Sequence, residues 1–455
     1  MKRAHIIGIG GIAMSAIAQS LIKLGYKVTG SDLNRTSLTE ELKGMGIEVS
    51  IGHSPDNIFN DIDKVIYSDA IPKDNVELVT AKRYEIDTLG RSKALAWITK
   101  GKKVISAAGT HGKTTTSAMI AHLFEEAKKE PSFIIGGILN NFNSNFKANI
   151  GDYFILEGDE YGKSFLKYSS DVGVITNIEF DHPDIYIDME DMLLTYREYV
   201  NNLNEALITN KEVIDQLNLN PKEMDIEVIT VGINDKEADF NIVDIKEEEL
   251  TSHFTLYYHG KEVSSFKLNA LGNYNIMHSV EAIAVGNYFG IDPLEFKEAL
   301  MNWKGVKRRF EILRDDSKRI IISDYAHHPS EVEAVAEILE RIKTDKKKVI
   351  IFQPHQYIRT NSLFDYYKGI LDKKIDEKMI LKIYKVREKV EKNKLESLGR
   401  ELSEIISKDK VSYFGDYEGL REVLNEYEAK NNGIYLFLGA GDIDDFARLW
   451  AKSLS

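Results

Sequence analysis

Cysteine is absent from this 455-residue chain, which excludes disulfides, thiolate metal sites and catalysis by a thiol nucleophile. Long apolar runs are missing too: no stretch approaches the roughly 18 consecutive apolar residues of a membrane-spanning helix. Positive charge is in deficit, with 59 Lys and Arg against 72 Asp and Glu and a formal net charge of −13. That balance argues against a general nucleic-acid binder, whose affinity for the phosphate backbone needs clustered Lys and Arg. Single basic residues can still hold a phosphorylated small molecule. No low-complexity tract occurs. Met1-Lys2-Arg3 and the apolar residues after it imitate a signal peptide, but Gly8, Gly10 and Gly11 break the run and no cleavage site follows. The expected location is the cytoplasm, without membrane insertion.

What is present centres on Gly109-Thr110-His111-Gly112-Lys113-Thr114-Thr115. An apolar, strand-like run at 104–108 feeds into it and a helix-like run at 117–124 leaves it. A Gly-rich turn between strand and helix frees backbone N–H groups to cradle phosphates. The lysine adds a point charge for the terminal phosphates, and the neighbouring hydroxyl of Thr114 can hold Mg²⁺. The full pattern has another glycine five positions before Gly112, where this chain has Ala107. The match is partial, but its strand–loop–helix context is complete, and it predicts ATP binding.

Length predicts about three domains. In the first, 1–98, a buried strand runs into Gly8-Ile9-Gly10-Gly11-Ile12-Ala13 and a helix, the G-x-G-x-x-A form of a dinucleotide fingerprint. A second strand ends at Ser31-Asp32, where a ribose-binding acid belongs. Alone this allows NAD, FAD or another nucleotide diphosphate, or a tight turn with no ligand. The segment is only half the size of a full dinucleotide domain and stands directly before the phosphate-binding one. A nucleotide-linked substrate therefore fits better than a redox cofactor.

In the central domain, 99–305, an apolar strand at 152–156 closes on Glu157-Gly158-Asp159-Glu160. Acids at that end of such a strand stand where a P-loop protein holds Mg²⁺. Glu157, first past the apolar run, is the expected ligand; Asp159 and Glu160 read equally well as solvated loop charges. The next strand ends at Asn177-Ile178-Glu179-Phe180-Asp181-His182, which places His182 on the same rim with a metal or phosphate role. A hairpin around 259–261 follows, then a helix after Leu271-Gly272-Asn273-Tyr274-Asn275. In 304–310, a basic linker, the adjacent Arg308 and Arg309 form either a solvated turn or a phosphate clamp. In the C-terminal domain, 306–455, three strands stop at Asp324-Tyr325-Ala326-His327-His328-Pro329, Gln353-Pro354-His355 and Gly439-Ala440-Gly441-Asp442. Ligands of open parallel sheets bind outside such ends. Ser330 with Glu333 resembles a capping box, and 382–400 reads as a solvated helical face.

Taken together, the order and spacing of these motifs resemble the Mur ligases, over effectively the whole chain. The carriers are Gly8-Ile9-Gly10-Gly11-Ile12, the 109–115 turn, Asn177 with Asp181-His182, Arg308-Arg309-Phe310, Asp324 with His327-His328-Pro329, Gln353-Pro354-His355 and Gly439-Ala440-Gly441-Asp442. The resemblance implies an α/β chain of three domains: N-terminal Rossmann-like, central P-loop ATPase-like with a mostly parallel sheet, C-terminal Rossmann-like. It implies ATP and Mg²⁺ as cofactors, and UDP-N-acetylmuramate and L-alanine as substrates joined through an acyl phosphate.

The roles it implies are specific. Lys113 meets the phosphates, Thr114 and Glu157 hold the metal, and His182 holds a second one. Arg309 reaches the ATP phosphates, Asp324 its ribose and Asn275 its adenine. His327, His355 and Arg359 face the amino acid and the forming bond. Gly10, Gly11, Asp32, His53 and Ser68 line the uridine-diphosphate side. Departures are visible as well. Tyr274 and His278 stand where the family has His and Asn, and Gln356 stands where some members have Arg. No lysine follows the Asp-His pair before Lys211, so a carbamoylated lysine is not expected and Arg197 or solvent takes its place. A tripeptide-recycling relative, a non-catalytic nucleotide-binding scaffold and a dehydrogenase remain as alternatives.

Overall fold

The computed structural model describes residues 2–68, 70–149, 151–182, 185–248, 250–367, 373–385, 390–406 and 411–454. The chain divides into two compact units. One comprises residues 1–246, 253–269 and 274–304, the other 247–252, 270–273 and 305–455.

The first unit holds two sheets. Five parallel strands form the N-terminal one, in the order Glu48–Ile51, Lys27–Asp32, Arg3–Ile7, Lys64–Tyr67, Asp87–Gly90. In the larger sheet the strand before the Gly-rich turn, Lys103–Ala108, lies between Ser170–Ile175 and Tyr153–Gly158, parallel to both. Apart from Lys103 its residues are buried, as the unbroken apolar run predicts for a strand covered on both faces. Ser132–Leu139 extends the sheet in parallel, and Ser144–Lys147 pairs antiparallel at the edge. The expected hairpin is present as Thr251–Tyr258 and Lys261–Leu268.

On one face of the small sheet the core is continuous with that of the larger sheet, while Ile7, Ile58, Ile62, Val65, Leu78 and Ala81 form a cluster of their own. Ala16, Ile17 and Leu21 from the helix Ile12–Lys23, and Leu95 and Ile98 from Arg91–Ile98, join one buried apolar cluster with Ile134, Phe146, Leu156, Phe165 and Tyr168 of the larger sheet and its connections. These two helices thus pack against both sheets, while Ile12, Ile22 and Lys23 remain exposed.

In the second unit a six-stranded sheet runs Glu311–Asp315, Arg319–Asp324, Gly433–Leu438, Lys347–Phe352, Glu377–Leu381, Val411–Phe414; the first pair is antiparallel and the others parallel. Strand alternation separates two cores. Ile322, Ile350, Phe352 and Leu436 face Val332, Val335 and Leu339 of the helix Pro329–Arg341, while Ile321, Ile351 and Phe437 pack with Leu420, Phe446 and Trp450.

Two local expectations need correction. The helix Pro329–Arg341 is capped at His328, where the Glu331 carboxylate accepts from the N–H of His327 and His328, so Ser330 is already inside the helix. Of 382–400, only the part from Lys392 onward is helical, in Lys392–Ile406, and it buries Leu398 and Leu402; residues 386–389 lie outside the described residues. Among the described residues no helix is long and apolar enough to cross a membrane.

Candidate active site

The Gly-rich turn ends at Gly112, whose φ of 82° starts the helix Lys113–Glu126. A Cβ there would lie 2.3 Å from Cε1 of His278, so both conformation and space demand glycine. The neighbouring strand end fastens the turn. The Asn177 amide donates to His111 O and accepts from His111 N, each at 3.0 Å, and the Thr176 hydroxyl donates to His111 O at 2.6 Å. Thr110 Oγ1 donates to Glu179 O and accepts from Glu179 N, both at 2.8 Å. The first N–H groups of the helix, at Lys113, Thr114 and Thr115, have no partner within it and form an anion cradle.

Lys113 Nζ donates to Gly109 O at 2.6 Å, to Thr110 O at 3.0 Å and to Glu160 Oε1 at 2.9 Å. His182 Nε2 lies 3.4 Å from the same Glu160 oxygen. Burial opposes charge at Lys113, but Glu160 beside it holds the ammonium above its ordinary range. Burial likewise opposes ionisation of Glu160, and Lys113 and His182 pull that carboxyl below its usual range. Glu160 is 1 % exposed, and its Oε2 is buried without a hydrogen bond.

This corrects the expectation for the acidic turn. Glu160 is no solvated charge; it joins the P-loop lysine to His182. Glu157 instead accepts from Gly136 N at 2.7 Å, and Asp159 pairs with Arg91 at 3.4 Å. No local signal marked Glu160, because the 3₁₀ turn Tyr161–Lys167 and Tyr186, whose hydroxyl donates to Glu160 O at 2.7 Å, are what enclose it. A buried carboxylate oxygen without a hydrogen bond, beside an imidazole, is a donor pair that fits a divalent cation, and Thr114 stands in the first turn of the helix after Lys113. Arg197 is not part of this cluster: it donates to Leu217 O and pairs with Glu190. Asn275 is buried on the helix Asn273–Tyr288, one turn before His278, whose Nδ1 lies 3.1 Å from Glu281 Oε2.

Between the two sheets of this unit lies a cavity of about 350 Å³, lined by Gly11, Ser68, Arg91, Glu157, Asp159 and Ser164 among others. Two of the residues expected on the uridine-diphosphate side, Gly11 and Ser68, therefore open onto the same space as Glu157. Gly10 N donates to Asp32 Oδ2 at 2.9 Å, and Asn34 N donates to Oδ1 at 3.1 Å, so the acid is held at the rim beside the glycine turn. His53 Nδ1 lies 3.1 Å from Ser31 Oγ and 3.2 Å from Glu77 Oε2.

The second unit gathers the remaining candidates at its strand ends. Asp324 is buried with both oxygens engaged, by Phe310 N at 2.6 Å and Ala326 N at 2.7 Å. Burial pushes its carboxyl up to about 6, against the pull of Arg309 and the two amides. What it holds here is its own loop, rather than presenting two unengaged oxygens to a ribose. Arg308 donates to Gly439 O at 2.7 Å and Gly441 O at 3.0 Å, clamping backbone rather than phosphate. Arg309 lies over the Tyr325 ring, 5.2 Å from its centroid.

His327 packs edge-on against His355, centroids 5.5 Å apart, and Arg359 stands on the short helix Tyr357–Ser362 after Gln356, whose φ is 67°. Desolvation, reinforced by the charge of Arg359, lowers the His327 imidazole to about 4 despite Glu331. Its Nδ1 faces the Tyr325 carbonyl at 3.1 Å and so carries the proton, leaving Nε2 as an acceptor.

Three family models match in sequence order: Mur ligase family, catalytic domain, over residues 3–103; Mur ligase middle domain over 107–286; and Mur ligase, glutamate ligase domain over 308–441. The chain is 35 % identical over 446 residues to a UDP-N-acetylmuramate–L-alanine ligase of Clostridium acetobutylicum, covering 97 % of this chain and 96 % of that one. It is 35 % identical to the enzyme of the same name from Aquifex aeolicus, covering 100 % and 98 %. Among solved structures, a UDP-N-acetylmuramate-alanine ligase from Thermotoga maritima superposes with a TM-score of 0.81 at 28 % identity, covering 99 % of both chains. A murein peptide ligase from Psychrobacter arcticus shares the fold, with a TM-score of 0.70 at 19 % identity over 100 % of both chains.

Proposed function

The chain belongs to the Mur ligase family, and from that premise we propose that it joins L-alanine to UDP-N-acetylmuramate, with ATP converted to ADP and phosphate through an acyl phosphate. The observation that carries the reading is the buried Glu160 carboxylate shared by Lys113 of the P-loop and His182. The sugar nucleotide has its diphosphate at Gly10-Gly11 and its sugar in the cavity beside Ser68 and Arg91. ATP has its phosphates on the 109–115 turn.

A carboxylate is a poor electrophile. Its oxygen attacks the γ-phosphorus, the bond to the β-phosphate oxygen breaks, and ADP leaves an acyl phosphate. Two anions must meet in this step, so fixed positive charge and N–H donors are the main requirement. Lys113 supplies a charge already oriented by three partners, and the helix start supplies amides. A Mg²⁺ ion, when bound, would neutralise phosphate charge; Thr114 and Glu160 are its proposed ligands, Glu160 replacing Glu157 in that role, and His182 keeps the second-metal role beside the same carboxylate.

The amine of alanine then attacks the acyl carbon. A C–N bond forms, the C–O bond to phosphate breaks, and the nitrogen gives up protons on the way. His327, neutral at pH 7 with Nε2 accepting, is suited to take one, and Arg359 is suited to hold the alanine carboxylate. Arg309 is assigned to phosphate and Asn275 to adenine. The domain divisions at 98/99 and 305/306 are retained as functional lobes.

The test is direct. Purified protein with ATP, Mg²⁺ and UDP-N-acetylmuramate is given alanine, glycine, serine or an L-alanyl tripeptide, with phosphate release and product mass followed. Release with alanine and a product carrying one alanine is expected. Release with the tripeptide alone makes the chain a recycling ligase, and none with any acceptor removes the ligase reading.

A further inference from the structure

Past the strand Lys347–Phe352 the chain enters the loop that carries His355, and past its neighbour Glu377–Leu381 it reaches Tyr384. Inside the sheet Phe352 stands opposite Ile380. Beyond the sheet His355 pairs with Tyr384, so the Tyr384 side has taken up one extra residue. A slip of one residue exchanges the two faces of a strand. It sets Tyr384 rather than the buried Ile383 opposite His355.

Tyr384 grips the His355 loop through main chain and ring together. Its N–H donates to Pro354 O at 2.8 Å and its carbonyl accepts from Gln356 N at 2.9 Å, which binds both peptides flanking His355. Its ring lies face-on to the imidazole of His355, with centroids 5.7 Å apart and planes 17° from parallel, an offset stack. The ring of His327 meets that same imidazole edge-on. Gly441 backs the tyrosine: a Cβ there would lie 2.6 Å from Tyr384 Cγ and 2.3 Å from Gln353 Oε1. Arg308 fixes this glycine through its carbonyl at 3.0 Å. The tyrosine is thus seated against main chain, which cannot swing away as a side chain can. Directly after His355, Gln356 takes a φ of 67° and turns the chain into the short helix that bears Arg359. Such a backbone is unfavourable for a residue other than glycine, and the bond from Gln356 N to Tyr384 O helps to hold it.

We propose that Tyr384 is a positioning residue for the amine half of the reaction. Its ring fixes the plane of His355, and its main chain fixes the turn from which Arg359 departs. The inference rests on the reading that His355 and Arg359 face the incoming alanine. So small an amino acid offers few contacts besides its amine and carboxylate, so a displaced His355 or Arg359 is not compensated elsewhere. A misplacement of about 1 Å at such groups costs on the order of 10²-fold in rate. Phosphoryl transfer at the 109–115 turn uses neither group and is not expected to feel Tyr384.

The experiment compares wild type, Tyr384→Phe and Tyr384→Leu with alanine varied and ATP, Mg²⁺ and UDP-N-acetylmuramate saturating. The first step is followed separately, without alanine, by the movement of ¹⁸O from the β–γ bridge of ATP to the non-bridging β positions. Tyr384→Leu is expected to lower kcat/KM for alanine by about tenfold or more. The isotope exchange and the KM for ATP and for the sugar nucleotide are expected to stay within about twofold. Tyr384→Phe keeps the ring and is expected to restore every value to within about twofold of wild type. In a His355→Ala background, Tyr384→Leu is expected to cost less than about threefold, because the ring it orients is gone. Where thermal melting shows Tyr384→Leu unfolded, Tyr384→Met takes its place. Unchanged kcat/KM for alanine overturns the positioning role and leaves the ligase reading standing. An equal fall in isotope exchange also overturns it, since that marks general damage to the fold. A wild type that forms no alanine adduct overturns the ligase reading, and this proposal with it.

Discussion

At the scale of single residues, Glu157 and Glu160 differ only in their surroundings. Glu157 opens onto the cavity and holds Gly136; Glu160 is enclosed with Lys113 and His182. Glu160→Gln is expected to lower kcat by about 10² or more and to raise the Mg²⁺ concentration needed for half-maximal rate. Glu157→Gln is expected to act mainly on KM for the sugar nucleotide. Initial rates across a Mg²⁺ series separate them, and a Mg²⁺ shift confined to Glu157→Gln would reverse the assignment. Asp324 and His327 make a second residue-level case, because their shifts oppose each other. Asp324, raised from 3.8 to about 6, binds more proton folded than unfolded between those values, so its contribution to stability is lost as pH rises. His327, lowered from 6.5 to about 4, binds less, so its contribution is lost as pH falls through the same window. Thermal melts of wild type between pH 4 and 6 should therefore be nearly flat in these two terms. Asp324→Asn leaves the His327 slope, melting lower in acid; His327→Asn leaves the opposite slope. Identical slopes in both variants would contradict the pair.

At the scale of elements, the P-loop was readable because its residues are contiguous and its chemistry is backbone chemistry. A strand, a turn that needs glycine and a helix start follow one another in the chain, and nothing distant is needed to recognise them. Its support was not readable. His278 reaches Gly112 from a helix more than 160 positions later, and Glu281, which holds His278, also takes the Thr116 hydroxyl at 3.4 Å. Gly112→Ala therefore meets two obstacles, a left-handed backbone costing about 1–2 kcal/mol and the His278 ring. It is expected to lose ATP binding and about 2–4 kcal/mol of stability. Adding His278→Ala should return the steric part but not the backbone part, giving favourable coupling in a double-mutant cycle on Tm. Strict additivity would show that the ring does not brace the turn. The same distance effect hid Glu160, whose enclosure comes from Tyr186 and a left-handed turn at Gly162 and Lys163. It also made Arg197 look available, although the carbonyl of Leu217 and Glu190 engage it.

At the scale of the whole molecule, the small N-terminal sheet and the P-loop sheet share one apolar core through the helix Ile12–Lys23. Leu21→Ala, at a fully buried position of that helix, is expected to cost about 2–5 kcal/mol. Hydrogen exchange should then quicken together in Arg3–Ile7 and Lys103–Ala108; quickening in the first strand alone would make the small sheet an independent folding unit. Apolar periodicity along each segment set the strands and helices, and glycines next to a lysine set the phosphate turn, since both depend on neighbours in the chain. The sharing of a core, the burial of Glu160 and the bracing of Gly112 by His278 were decided only by tertiary structure. Each depends on low-dielectric surroundings and hydrogen-bond partners contributed by residues far away in sequence, which no local pattern records.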